Sequence, residues 1–423
     1  MTGRPEPLVY ITCVPLTGNS GGSIVCRQHV ERLAAVQGQR LIVCTIGSVE
    51  DEAANKNLVA ALGAEHRHIT LIGGIGAPRS YQFRPSYRWH LLFERHAFSH
   101  AFTEERIARV VDEFQASMVA VDYLHTTFFA KFLFDRPLHR VIITLNPEAR
   151  FFAEMRRLGR VPAGGCSDSK IAERRLEHYE DWVYRNSSAV VALTAGDLPQ
   201  TVPSSVERVV ISPVLPESPT SWSGEGNKTV LFVGNWGHHP NYSAIQWLAE
   251  KFAPELLKKD PQARLKIVGA AAADVPAHWR VSNIDFLGTS TAEEVKRLFT
   301  TADLFIAPIE NDYGSKIKVL ECLSYGTPLV ATPQALTGAA FAASAIPAFG
   351  LDEPERAAKL VAELLPDCER LKQLSSVLKA CAKAQDISVG QTWQALIDRL
   401  RAKPLPPPAR WPLSRRVEAW IWD

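Results

Sequence analysis

Short, uninterrupted apolar runs recur along this chain, each ending at a glycine, proline or polar turn and each followed by apolar residues at helical spacing. Leu8 to Val14 is the first, followed by the loop Thr17-Gly18-Asn19-Ser20-Gly21-Gly22-Ser23 and an amphipathic pattern from Ile24 to Ala35. A strand apolar at every position has no face to show to water, so it must be covered on both sides. Only intervening helices can supply that cover. The repeated order of strand, loop and helix therefore predicts βαβ units and a parallel sheet.

Further strands are expected at Leu41 to Ile46, Arg67 to Ile72, Ser117 to Val121, Arg140 to Leu145 and Ala189 to Leu193. Helical pieces are expected at Asn57 to Leu62, Thr103 to Phe114 and Ser169 to Arg185. The Pro, Ser, Gly and Glu-rich stretch from Ser212 to Lys228 then interrupts the alternation and reads as a linker. Beyond it the pattern restarts. Strands are expected at Thr229 to Val233, Arg264 to Val268, Ile284 to Leu287, Leu304 to Pro308 and Pro328 to Ala331. Helices are expected at Tyr242 to Lys258, Ala292 to Thr300, Ser315 to Tyr325, Glu353 to Leu365, Glu369 to Ala384 and Gly390 to Arg401. A single core stops growing near about 250 to 300 residues, so 423 residues call for two. The expected division is a first doubly wound domain over 1–211, a linker over 212–228, a second doubly wound domain over 229–402 and a tail over 403–423.

Charge and cysteine content restrict the partners. Lys and Arg number 47 against 45 Asp and Glu, a formal charge of +2, so no global field gathers nucleic acid or an anionic membrane. An anionic ligand must be held locally. The seven cysteines are scattered and form no Cys-x-x-Cys pair, which suits reduced thiols in the cytoplasm. No stretch has the ~18 apolar residues of a spanning helix, and the opening MTGRPEPLVYIT has neither the basic region nor the apolar run of a signal peptide. The expected location is cytoplasmic, with peripheral contact at the inner face of a membrane left open. The tail carries Trp411, Trp420 and Trp422, which suit packing on the body, and Arg410, Arg415 and Arg416, which with them suit an amphipathic foot on a membrane.

The chemistry concentrates between Leu304 and Thr332. A buried strand delivers the chain to Glu310 through Gly314, and a helix begins near Ser315 with unpaired N–H groups, which makes a seat for phosphate. Lys318 and Glu321 are three residues apart and share a helix face. The lysine can offset phosphate charge, and the glutamate can accept hydrogen bonds from both ribose hydroxyls. Gly326 suits a left-handed cap, and Pro328 cannot continue the helix. Taken without its context, the same pair reads as an ordinary charge pair on a solvated helix.

The segment Gly314-x-x-x-Lys318-x-x-Glu321-x-x-x-x-Gly326-x-Pro328-x-Val330-x-Thr332 resembles the donor-site signature of retaining GT-B glycosyltransferases, the group 1 type. The runs Val230 to Gly234, Leu265 to Gly269, Ile284 to Gly288 and Ala302 to Pro308 are similar to that family's second domain in order and spacing, over about 110 residues. Upstream of Ser212 the likeness is looser. The resemblance implies two Rossmann-like domains facing across a cleft, with a nucleotide sugar bound mainly to the second. It implies that Glu321 contacts ribose, that Lys318, Lys316 and the backbone at Gly314, Ser315 and Ile317 hold the diphosphate, and that Gly234, Asn235, His238 and His239 line the donor site. It also implies that the glycine loop with Gly21 and Gly22 faces the donor phosphates or the acceptor. One departure stands out. Many members carry a glutamate eight residues before the ribose glutamate, and here that place is Tyr313.

His125, after the run ending in Asp122-Tyr123-Leu124, stands where the family often has a histidine near the transferred sugar, so His125 and Lys318 are the expected catalytic residues. Asn146 and Glu148 end a strand and could position an acceptor hydroxyl, although Glu148 also suits capping of a helix. Arg84 and Arg88 lie in a stretch of interleaved basic and aromatic residues, Arg79 to Arg95, which suits an acceptor glycan or core packing. No Asp-x-Asp occurs and no metal is expected. The expected activity is metal-independent, retaining transfer of a sugar from a nucleoside diphosphate to an acceptor hydroxyl in glycan or polysaccharide biosynthesis. The acceptor would be a glycan, a lipid-linked glycan or a small molecule. The alternatives are a nucleotide-sugar epimerase or phosphorylase on the same scaffold and a non-catalytic binding relative.

Overall fold

The computed structural model describes residues 5–18, 20–70, 97–157, 170–215, 218 and 220–409. Its internal contacts divide the chain into unit 1, Met1–Ile211 with Gly390–Asp423, and unit 2, Ser212–Val389. Unit 1 holds a sheet of β1 (Glu6–Thr12), β2 (Gln39–Gly47), β3 (Glu65–Thr70), β4 (Met118–Asp122), β5 (His139–Thr144), β6 (Ala189–Ala192) and β7 (Glu207–Val210). All are parallel, in the order β3-β2-β1-β4-β5-β6-β7. The helices between them are α1 (Gly21–Ala34), α2 (Val49–Ala61), α3 (Ala97–Glu113), α4 (Glu148–Arg157) and α5 (Lys170–Arg185). As the unbroken apolar runs require, Leu8, Val9, Tyr10 and Ile11 of β1 and Val119, Ala120 and Val121 of β4 are fully buried. Each large aliphatic side chain among them contributes about 1.5–3 kcal/mol.

Unit 2 repeats the plan with β8 (Thr229–Val233), β9 (Arg264–Val268), β10 (Ile284–Gly288), β11 (Leu304–Ala307) and β12 (Leu329–Ala331), parallel in the order β10-β9-β8-β11-β12. Its helices are α6 (His239–Trp247), α7 (Ala253–Lys259), α8 (Ala292–Thr301), α9 (Ile317–Tyr325) and α10 (Pro354–Leu364), and a last helix, α11 (Cys368–Arg401), runs from unit 2 into unit 1. Both sheets are doubly wound. In each, the strand order reverses beside the first strand, between β1 and β4 and between β8 and β11, and such a reversal opens a crevice at the carboxyl ends of the two strands.

Several boundaries differ from the sequence reading. Helix α2 begins at Val49 because Ser48 and Asp51 form a capping box. The short edge strand β7 was not anticipated; two of its four residues are exposed, so it shows no apolar run. The expected helix Tyr242 to Lys258 is two helices joined by a π-helical turn, Leu248–Phe252. Residues 212–228 fold with unit 2: Trp222 Nε1 donates to Ala302 O at 2.7 Å, and Asp303 accepts from the amides of Gly226 and Thr229 at 2.7 and 2.9 Å.

The two expected C-terminal helices are one helix of 34 residues, which passes through Gly390. Its last turns fold with unit 1, where the sequence reading had placed residues up to 402 in the second domain. The cause is an apolar face, Trp393, Leu396, Ile397 and Leu400, buried to 1% or less. Gln394 accepts from the Gln37 amide at 2.8 Å, and Arg401 donates to Gly38 O at 3.1 Å. Past the helix, Lys403 pairs with Glu207 at 2.7 Å and the Ala409 amide donates to Phe134 O at 2.6 Å. The three tail tryptophans lie outside the described residues.

Candidate active site

In unit 2 the crevice between β8 and β11 is lined by two loops. The first leaves β8 at Gly234. Its geometry is set by a close backbone crossing: Gly269, at the end of β9, has φ +102°, and a Cβ there would lie 2.1 Å from Gly234 O. Gly234 N–H donates to Val268 O at 3.0 Å and Trp236 N–H to Gly269 O at 3.1 Å. Asn235 Oδ1 accepts from the Gly237 amide at 2.8 Å, and Asn241 Nδ2 donates to Asn235 O at 3.2 Å. The result is a fixed turn that leaves Asn235 and His238 exposed, with His238 at the N-cap of α6 and His239 as its first residue.

The second loop leaves β11 at Pro308 and enters α9. Gly314 turns it with φ +67°, and the backbone of Ser315 sits so close to Gly338 that a Cβ on Gly338 would be 2.8 Å from Ser315 Cα. Lys316 precedes α9 with no side-chain cap, and Val319 N–H donates to Lys316 O at 2.9 Å, so the amides of Ile317 and Lys318 are the ones that point outward at the positive end of the helix dipole. Lys316 Nζ donates to Tyr313 O at 2.7 Å and Gly314 O at 2.9 Å, which closes its own loop. Tyr313, in place of the usual glutamate, is buried.

From the first turn of α9, Lys318 Nζ forms an ion pair with Glu321 Oε2 at 2.7 Å, the lysine 39% and the glutamate 17% exposed. The glutamate oxygen is buried and the lysine stem partly exposed, so the pair presents a cation and a carboxylate side by side to a ligand that offers phosphate to one and hydroxyls to the other. The far end of α9 closes as expected: Gly326 has φ 74°, its amide donates to Leu323 O, and the Thr327 amide donates to Cys322 O.

The unit 1 crevice, between β1 and β4, contains the glycine loop and His125. Ser20 caps α1 by accepting from the Ser23 amide, so Gly21 and Gly22 form the first turn. Strand β4 ends at Asp122, fully buried, where Oδ2 accepts from Tyr10 Oη and contacts His29 Nδ1 at 3.2 Å. Burial, and then Asp122, push the Tyr10 phenol well above its ordinary pKa. Tyr123 follows with φ 67° and ψ 137°, a conformation that costs a non-glycine residue on the order of 1–3 kcal/mol. Its ring lies 4.7 Å from that of His125, which is buried.

At the end of β5, Thr144 Oγ1 donates to Asn146 O at 2.6 Å, and Glu148 is the buried first residue of α4. Its amide and that of Ala149 are held by Glu180 at 2.8 and 3.2 Å. The role of cap therefore falls to Glu180, which the sequence reading missed because nothing in the polar run Ser169 to Arg185 shows that α4 will cover it. Tyr123 was missed for a similar reason, since its backbone strain has no signature in residue type. Arg84 and Arg88 lie outside the described residues. Among the described residues no cluster of three His, Cys, Asp or Glu side chains could hold a metal ion, and no helix is long and apolar enough to cross a membrane.

Comparison with known proteins places this geometry. Residues 227–367 match the family model of Glycosyl transferases group 1. Sucrose-phosphate synthase from Thermosynechococcus elongatus superposes over 94% of this chain and 99% of its own, with TM-score 0.65 and 14% identity. TarM does so over 93% and 99%, with TM-score 0.63 and 9% identity. UGT2 of Phytolacca americana, solved with UDP-2-fluoro-glucose and pterostilbene, covers 94% and 99% with TM-score 0.54 and 13% identity. A curated relative, an uncharacterized 44.6 kDa protein in the cps region of Klebsiella pneumoniae, is 27% identical over 104 residues, which span 23% of this chain and 27% of that protein. The solved structures share the fold of this chain, two doubly wound α/β units, and the family likeness lies in the second unit. The matched residues 227–367 include both loops of the unit 2 crevice and the whole of α9.

Proposed function

We propose that this protein is a retaining, metal-independent transferase that moves a sugar from a nucleoside diphosphate sugar to an acceptor hydroxyl. The observation that carries this reading is the Lys318–Glu321 pair at the start of an uncapped helix, beside the strand-order reversal of the segment that matches the group 1 family model. The first-turn amides of α9 and Lys318 would stabilise the charge that develops on the departing diphosphate, Glu321 would hold the ribose, and the turn from Gly234 to His239 would frame the donor. In this reading charge neutralisation needs no resident metal or other cofactor, because fixed donors supply it. His125 would serve the transferred sugar and Asn146 and Glu148 the acceptor. Retention of configuration follows the family resemblance.

The partial likeness to a protein of a cps region supports a role in polysaccharide biosynthesis, with a glycan, a lipid-linked glycan or a small molecule as acceptor. The described cysteines form no disulfide with one another, and Cys13, Cys26, Cys44 and Cys322 are buried, which supports work in the reducing cytoplasm. Peripheral membrane contact would fall to residues beyond 409.

Calorimetric titration of UDP, GDP, ADP and CMP sugars tests the donor site. Glu321→Ala should weaken the preferred donor by tenfold or more, about 1.4 kcal/mol, and Lys318→Ala should lower kcat as well as affinity. Unchanged affinity in both folded variants would remove the donor site from α9. Transfer that persists in a chelator is expected, and product mass separates transfer from epimerisation, which leaves the donor mass unchanged.

A further inference from the structure

We propose that Tyr123 is a positioning residue for His125, and that Gly22 is required as the seat of the Tyr123 phenol. This rests on the catalytic reading of His125. Tyr123 Oη stands directly over the first turn of α1: a Cβ on Gly22 would lie 2.4 Å from that oxygen and 3.4 Å from Cζ. The same ring packs on His125, with ring centroids 4.7 Å apart and the planes tilted by 50°. Both residues are buried, at 4% and 3% exposure, so the ring is displaced only against packed neighbours.

The backbone fixes the arm as firmly as the packing does. Tyr123 holds φ 67°, its N–H donates to Ile143 O at 3.0 Å, and its carbonyl accepts from the Thr126 amide at 3.1 Å. A left-handed tyrosine at a strand end is a conformation that the surroundings must impose. Its effect is to lay the ring between the glycine turn and the histidine. Gly22, Tyr123 and His125 thus form one column of contacts at the β1–β4 reversal, and a methyl group on Gly22 must displace the phenol and, through it, the imidazole.

This gives Gly22 a different task from that of a glycine that lets a ligand phosphate approach the backbone, and a double-mutant cycle separates the two. Gly22→Ala and Tyr123→Ala should each lower kcat by tenfold or more while the donor KM changes by less than threefold. Tyr123→Phe, which keeps the ring, should remain within threefold of the parent. In the Tyr123→Ala background, Gly22→Ala should cost nothing more, because nothing is left to displace. The His125 Cε1–H resonance should move in Gly22→Ala and Tyr123→Ala and stay in Tyr123→Phe, with circular dichroism confirming the fold. Additive losses would overturn the proposal in favour of ligand approach at Gly22, as would an unmoved His125 resonance. A His125→Ala variant with parental kcat would instead overturn the catalytic reading of His125 on which the proposal stands.

Discussion

Glu180 shows how burial can set the charge of a residue against the pull of the helix amides it serves. Its carboxylate holds the Glu148 and Ala149 amides and accepts from Tyr184 Oη at 2.9 Å, yet it is only 8% exposed. Burial pushes its pKa up to about 7, Glu148 adds to the rise, and the amide and phenol donors oppose it. The folded state therefore binds the proton more tightly than the unfolded chain, whose carboxyl titrates near 4.5. The stabilisation is complete below about pH 4.5 and is lost as pH rises through about 7. Thermal unfolding should show the parent melting temperature falling across that window relative to Glu180→Gln, which cannot titrate. Parallel pH profiles for the two proteins would reject the assignment. None of this was legible in the sequence, where Glu180 is one charge among many on a polar helix. The pairing of Lys318 with Glu321 was legible, because a spacing of three residues places both on one face of a helix.

Between elements, the tightest constraint is the crossing of Gly234 and Gly269. Backbone meets backbone there, so no flexible side chain can yield: Gly269→Ala would put a methyl group 2.1 Å from a carbonyl oxygen at φ +102°. The variant should shift the turn from Asn235 to His239 and weaken donor affinity by tenfold or more in calorimetry. Parental affinity in a folded variant would show that this turn does not frame the donor. The sequence located strands β8 through β12 because each is a short, mostly apolar run between breakers, even where, as in β10, only Ile284 is buried. It could not show that the carbonyl of one strand end touches the glycine of its neighbour, since that follows from register. The split between α6 and α7 escaped for a related reason: apolar spacing continues through the turn Leu248–Phe252, and Pro254, which supplies no amide hydrogen, suits the N-terminus of a new helix at Ala253.

At the scale of the whole molecule, α11 belongs to both units, beginning in unit 2 and ending against unit 1. Two doubly wound sheets were legible from length and periodicity, but the return of the chain was not, because a helix pattern does not say which core it will cover. Gly390 even suggested a break, at the roughly 1 kcal/mol penalty of a glycine within a helix. What outweighs that penalty is Trp393, fully buried with its ring edge-on to His29 at 6.0 Å. Trp393→Ala should cost unit 1 about 3–5 kcal/mol, the range for emptying such a site. Among the described residues Trp393 Nε1 has no hydrogen-bond partner, so phenylalanine forfeits volume and no polar contact, and Trp393→Phe should cost less than half as much. Urea unfolding followed by domain-resolved hydrogen exchange can separate the units. If the helix end is part of unit 1, the alanine variant loses protection in β1 and β4 while β8 and β11 keep theirs. Equal loss in both sheets would mean that the helix stabilises the chain as a whole rather than completing the core of unit 1.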